Sequence, residues 1–136
     1  MSSGLIDEQH TRTSVSALAY HLVWATKYRR PVLVGEVAAA AQRMLAEIVK
    51  AMNGRLVAAE VMPDHVHLFV VLPVTLPLPT LMQRLRGVSA RRLFQEYPGI
   101  KRRLWNGHLW NPSYWASTVG NVSAAGVARY IAQQHG

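Results

Sequence analysis

Between Arg55 and Leu72 two strand-like runs are separated by nothing but Met62-Pro63-Asp64, and a chain with that pattern is committed to an antiparallel hairpin. Both runs, Arg55 to Met62 and His65 to Leu72, are rich in Val, Leu, Ala and Phe, the composition of a pleated and largely buried surface. Pro63 removes a backbone donor at the tip, which suits a tight turn. The return leg begins His65-Val66-His67. Residues i and i+2 of a strand share a face, so the two imidazoles project side by side with Val66 turned away. Two neutral imidazoles one pleat apart aim their lone pairs toward one point, which is half of a metal site. Asp64 admits three roles: a ligand, a support for an imidazole, or a turn residue after Pro63. The turn or the support suits its position better.

The hairpin sits inside a longer series. Ser14 to Thr26 alternates without a polar face and reads as a strand, ended by Arg30-Pro31. Gly35-Glu36 opens a helix with Val37, Ala40, Met44, Leu45, Ile48 and Met52 at helical spacing, and Asn53-Gly54 closes it. After a connector at 73–79, Thr80 is the expected cap of a helix burying Leu81, Met82, Leu85, Val88 and Leu93, stopped by Tyr97-Pro98-Gly99. Lys101 to Pro112 reads as a basic loop, Ser113 to Val119 as a strand, and Ser123 as the cap of a terminal helix over 123–135. The order predicts one α+β domain over 1–136, with a loose arm at 1–13. Its fold class is the ferredoxin-like, RRM-like split βαβ arrangement. That is an antiparallel sheet of four to five strands with two helices on one face, plus the C-terminal helix.

Charge bounds the partner. Fifteen Lys and Arg against seven Asp and Glu leave a net charge of +8. Lys27-Tyr28-Arg29-Arg30 is one basic knot; Arg84, Arg86, Arg91, Arg92, Lys101, Arg102 and Arg103 form another, with only Glu96 among them. Cations beside aromatics suit phosphate and stacked bases, so nucleic acid is the expected partner. No cysteine is present, which excludes disulfides and thiolate metal sites. Neither a signal pattern nor a bilayer-length apolar run occurs, and the expected location is the cytoplasm with no membrane partner. The absence of a Gly-rich phosphate loop argues against nucleotide-driven chemistry.

The terminal helix carries Tyr130 and Gln134, four residues apart and so on one face. A tyrosine can serve as a covalent nucleophile and an amide oxygen as a ligand for a hard cation. His135 competes for the ligand role, but it is rotated about 100° from Gln134 and sits at a fraying end.

Taken together, His65-Val66-His67 and the distant Tyr130-x-x-x-Gln134 resemble the HUH-type single-tyrosine transposases, the TnpA proteins of the insertion-sequence 200/605 family. Further blocks look like family blocks in the family's order: Tyr20-His21-Leu22-Val23-Trp24 followed by Lys27-Tyr28-Arg29, Gly87-x-Ser89-Ala90-Arg91-Arg92, and Leu109-Trp110-Asn111-Pro112-Ser113-Tyr114. The resemblance implies a single-stranded DNA endonuclease and strand transferase. His65, His67 and Gln134 would bind one divalent ion, with Mg²⁺ and Mn²⁺ both open. Tyr130 would form a 5′-phosphotyrosine, acting on the histidine pair of a second subunit in a homodimer. Lys27, Tyr28, Arg29, Arg30, Arg84, Arg86, Arg91 and Arg92 would bind DNA hairpins at the element's ends. Two other readings stand beside it: a non-catalytic RNA- or single-stranded-DNA-binding module, and a domesticated transposase acting on chromosomal hairpin repeats.

Overall fold

Alternation along the hairpin's return leg decides which face of the sheet holds the core. A computed structural model describes residues 17–119. In chain order the elements are β1 (Ala17–Ala25), a short 3₁₀ turn at Lys27–Arg29, α1 (Gly35–Ala51), β2 (Arg55–Met62), β3 (His65–Pro73), α2 (Leu78–Glu96), α3 (Pro98–Arg103) and β4 (Trp115–Thr118). Among the described residues the strands form one four-stranded antiparallel sheet in the order β2-β3-β1-β4. This is the expected α+β split βαβ arrangement.

Val66, Leu68, Val70 and Leu72 of β3 join Leu22 and Trp24 of β1 in a core closed by Met44, Leu45 and Val49 of α1 and Leu81, Leu85 and Leu93 of α2. Burying each aliphatic side chain is worth about 1.5–3 kcal/mol. Slipping β3 by one residue would turn four of them away from the helices, so the register is firmly held. The histidine face is fixed as a consequence: His65 and His67 stand on the side of the sheet opposite both helices.

α1 ends as expected at Asn53-Gly54, with the work divided between the two residues. Asn53 takes the left-handed turn at φ 65°. Gly54 is needed for space, since a Cβ there would lie 2.9 Å from Leu72 and 3.0 Å from Val49.

Two boundaries differ from expectation. Thr80 does not cap α2; the helix opens at Leu78 after an extended Pro77, with Pro79 in its first turn, where proline's fixed φ is an advantage. Pro98 stops α2 but also starts α3, so Lys101–Arg103 lie on a short helix and not in a loop. Only Ile100 and Leu104 of that segment are buried, too few to show a helical period. Pairing trims the first and last strands of the chain order to Ala17–Ala25 and Trp115–Thr118. The arm at 1–13 and the helix at 123–135, with Tyr130, Gln134 and His135, lie outside the described residues. No helix among the described residues is long and apolar enough to cross a membrane.

Candidate active site

β3 lies between β1 and β2, so its first residues are flanked on both sides. His65 is opposite Ala25 and Met62, and His67 is opposite Val23 and Glu60. The two imidazole centroids are 5.0 Å apart, as expected of a same-face pair.

Each ring is held through its Nδ1. Asp64 Oδ1 lies 2.7 Å from His65 Nδ1, and Asp64 Oδ2 accepts from Arg29 Nε at 3.1 Å. The hydrogen bond with His65 holds the Asp64 carboxyl below the ordinary carboxylate range; burial opposes this, and Arg29 adds to it through its charge and its hydrogen bond. An ionised carboxylate only accepts, so His65 donates to it from Nδ1, and in the neutral ring the lone pair is then on Nε2. The Asp64 backbone is pinned as well, its carbonyl accepting from the Thr26 N–H at 2.9 Å. Asp64 therefore combines the turn with support of His65.

His67 Nδ1 lies 3.1 Å from Nε2 of His21. The tautomer in which His67 donates places its lone pair on Nε2, matching His65. His21 is buried, stacks on Phe69 at 4.3 Å between centroids, and meets Trp115 edge-on at 5.1 Å. Sequence reasoning assigned His21 no role. The usable signal was its parity: with β1 beside β3, the odd positions of β1 fall on the histidine face.

These groups open into a cleft of about 580 Å³ lined by Arg29, His65, His67, Asn111, Tyr114 and Trp115 among others. Two imidazoles with fixed Nδ1 atoms are suited to a divalent cation. Among the described residues no group of three or more His, Cys, Asp or Glu side chains forms a cation site; the amide expected from Gln134 lies outside them.

The basic residues divide between two places. Arg29 lines the histidine cleft, and Lys27 lines a neighbouring one of about 760 Å³ with Arg86, Gly87, Lys101 and Asn111. Tyr28 points outward, 63% exposed. Arg84 and Arg91 are exposed on α2. Arg86 is drawn inward, donating to the Pro112 and Asn111 carbonyls and lying over Tyr114. Arg92 pairs with Glu47 of α1 at 2.9 Å, and Glu96 pairs with Arg43. The α2 cluster is thus partly neutralised by an acid from α1, which its own sequence neighbourhood did not reveal.

The chain is also similar to known proteins. The family model described as "Transposase IS200 like" matches residues 14–134. The chain is 46% identical over 125 residues to the ISDra2 transposase TnpA of Deinococcus radiodurans, covering 91% of this chain and 89% of that one. It is 31% identical to the transposase for insertion sequence element IS200 of Salmonella typhimurium, covering 92% and 80%. A crystal structure of a proposed transposase from Deinococcus radiodurans superposes with a TM-score of 0.73 at 44% identity, over 90% of this chain and 95% of that one. A REP-associated tyrosine transposase bound to a REP hairpin shares the fold, with a TM-score of 0.58 at 13% identity over 88% and 63%. With the family model over residues 14–134, the fold and these relatives in agreement, the chain belongs to the IS200-like transposase family.

Proposed function

We propose that this transposase cleaves and rejoins single-stranded DNA at the ends of an insertion sequence through a 5′-phosphotyrosine on Tyr130. His65, His67 and Gln134 would hold Mg²⁺ or Mn²⁺, the basic surfaces would bind folded hairpins, and a cytoplasmic homodimer would share its active sites. The observation that carries this reading is the matched pair of imidazoles, each anchored at Nδ1 and lining one cleft with Arg29. The relative bound to a REP hairpin supports hairpin recognition.

The cation, when bound, would polarise the scissile phosphate and offset charge developing on its oxygens. Asp64 and His21 keep the two ligand rings in the tautomer and orientation that present Nε2. Arg29 adds positive charge at the mouth of the cleft. Tyr130 forms a bond from its phenolic oxygen to phosphorus as the bond from phosphorus to the 3′ oxygen breaks. The phenolic proton passes to solvent, and the leaving 3′ oxygen takes one up. Rejoining reverses these steps, and the ester retains the energy of the original linkage, so no nucleotide triphosphate is needed.

The test is a denaturing gel after mixing protein, Mn²⁺ and labelled single-stranded DNA from the gene's own flanks. A denaturant-resistant adduct is expected with the native chain and absent in Tyr130→Phe, while DNA binding persists. An adduct that survives Tyr130→Phe and disappears in Tyr28→Phe or Tyr114→Phe assigns the nucleophile elsewhere. Tight binding with no adduct returns the chain to a non-catalytic binding module.

A further inference from the structure

We propose that Tyr28 and Trp105 form a stacking platform for an unpaired nucleobase of single-stranded DNA, flanked by cations that hold the adjoining phosphates. The proposal rests on the reading of this chain as an enzyme of single-stranded DNA and adds a binding subsite to it. The two rings come from segments far apart in sequence and meet at the surface, with centroids 5.5 Å apart. Tyr28 is 63% and Trp105 66% exposed. Two large aromatic side chains kept side by side in water forgo the burial that normally favours them.

The backbone holds them there against its own preference. Tyr28 at φ 58° and Arg29 at 52° are consecutive left-handed residues, as are Trp105 at 54° and Asn106 at 58°. Bulky side chains rarely adopt that region, and such strain persists where surrounding structure imposes it, commonly at ligand sites. The imposing bonds are present: the Lys27 N–H donates to Leu109 at 2.8 Å, Arg29 to Thr26 at 3.0 Å, and Asn106 to Lys101 at 2.8 Å.

Each ring also carries a cation. Lys27 Nζ is 5.3 Å from the Tyr28 centroid, and the Arg30 guanidinium carbon is 4.0 Å from that of Trp105. Arg30 has no acidic partner among the described residues, and its buried Nε has no hydrogen-bond partner there. Lys101, Arg102 and Arg103 fill the last turn of α3 just before Trp105. Aromatic faces set among unneutralised cations match a nucleobase between phosphates, and stacking accepts any base because every base has a π-face. The same turn that bears Tyr28 sends Arg29 into the histidine cleft, so a strand on the platform runs toward the reacting centre.

The test is fluorescence anisotropy in the presence of a chelator, with a short oligothymidylate and an abasic strand of equal length as probes. The native chain is expected to prefer oligothymidylate by roughly 5- to 150-fold, the range that stacking one base supplies. Trp105→Ala and Tyr28→Ala should each remove most of that preference, bringing the two affinities toward equality, with abasic-strand affinity and salt dependence unchanged. Trp105→Phe and Tyr28→Phe should retain most of it. Equal native affinity for both strands overturns the proposal, as does an equal loss on both strands in the alanine variants. A change of sedimenting mass in Trp105→Ala overturns it too, since the pair would then be a contact with a second copy. The chelator prevents cleavage, so the platform and the catalytic reading fail separately. A chain that forms the Tyr130 adduct without base preference loses only the platform, and one with base preference but no adduct loses only the catalysis.

Discussion

Asp64 and His21 are residues through which the fold acts on the proposed ligands without supplying any. A histidine that has lost the partner of its second nitrogen can turn its ring and change tautomer, which typically weakens a metal site by about 10- to 100-fold. Asp64→Asn keeps an oxygen near His65 but removes the charge shared with Arg29. Binding of Mn²⁺, followed through the paramagnetic resonance signal of the free ion with no DNA present, should weaken by about tenfold. His21→Phe should keep the stack on Phe69 and lose the acceptor for His67, with a similar drop. His21→Gln places an amide oxygen near the lost Nε2 and should recover most of the affinity. Unchanged Mn²⁺ binding in His21→Phe would show that the 3.1 Å contact does not orient His67.

At the level of elements, a buried hydrogen bond joins α2 to the segment at 106–112, beside the Arg86 contacts with Asn111 and Pro112. Trp110 Nε1 donates to Ser89 Oγ at 2.9 Å, and that hydroxyl donates on to the Leu85 carbonyl. Ser89 is fully buried, so Ser89→Ala strands an indole N–H in the core and should cost about 1–3 kcal/mol in urea denaturation. Mn²⁺ affinity should not change, because the histidines lie across the sheet. The elements best read from sequence were those whose signals are local. The hairpin needed only two apolar runs and Pro63; the end of α1 needed only Asn53-Gly54. The same locality explains the misses. Thr80 looked like a cap because nothing nearby shows that Pro79 is acceptable in a first turn. α3 carried too little apolar pattern to register as a helix. Spacing placed His65 and His67 together because two residues of one strand share a face. It could not place His21, whose contact with His67 spans 46 residues and depends on the pairing of β1 with β3. Glu47 was invisible for the same reason: its contact with Arg92 exists only once α1 packs beside α2.

In the whole molecule, the sheet separates a helix-covered core from a face that carries the histidines, and the proposed nucleophile follows β4 in the sequence. On the proposed mechanism each chain supplies one nucleophile, which could not hold two cut ends at once, so excision of an element would need at least two chains. If Tyr130 completes the partner subunit's site, two inactive variants should rescue each other when mixed. One carries His65→Ala and His67→Ala with Tyr130 intact; the other carries Tyr130→Phe with both histidines intact. In a mixed dimer one site then joins the first chain's tyrosine to the second chain's histidines, and the other site lacks both. The adduct should appear on the histidine-altered chain, which a size tag identifies on a denaturing gel. Were Tyr130 to act within its own chain, every site in the mixture would lack one component and no adduct would form. Verified subunit exchange without an adduct would therefore place nucleophile and ligands on the same chain.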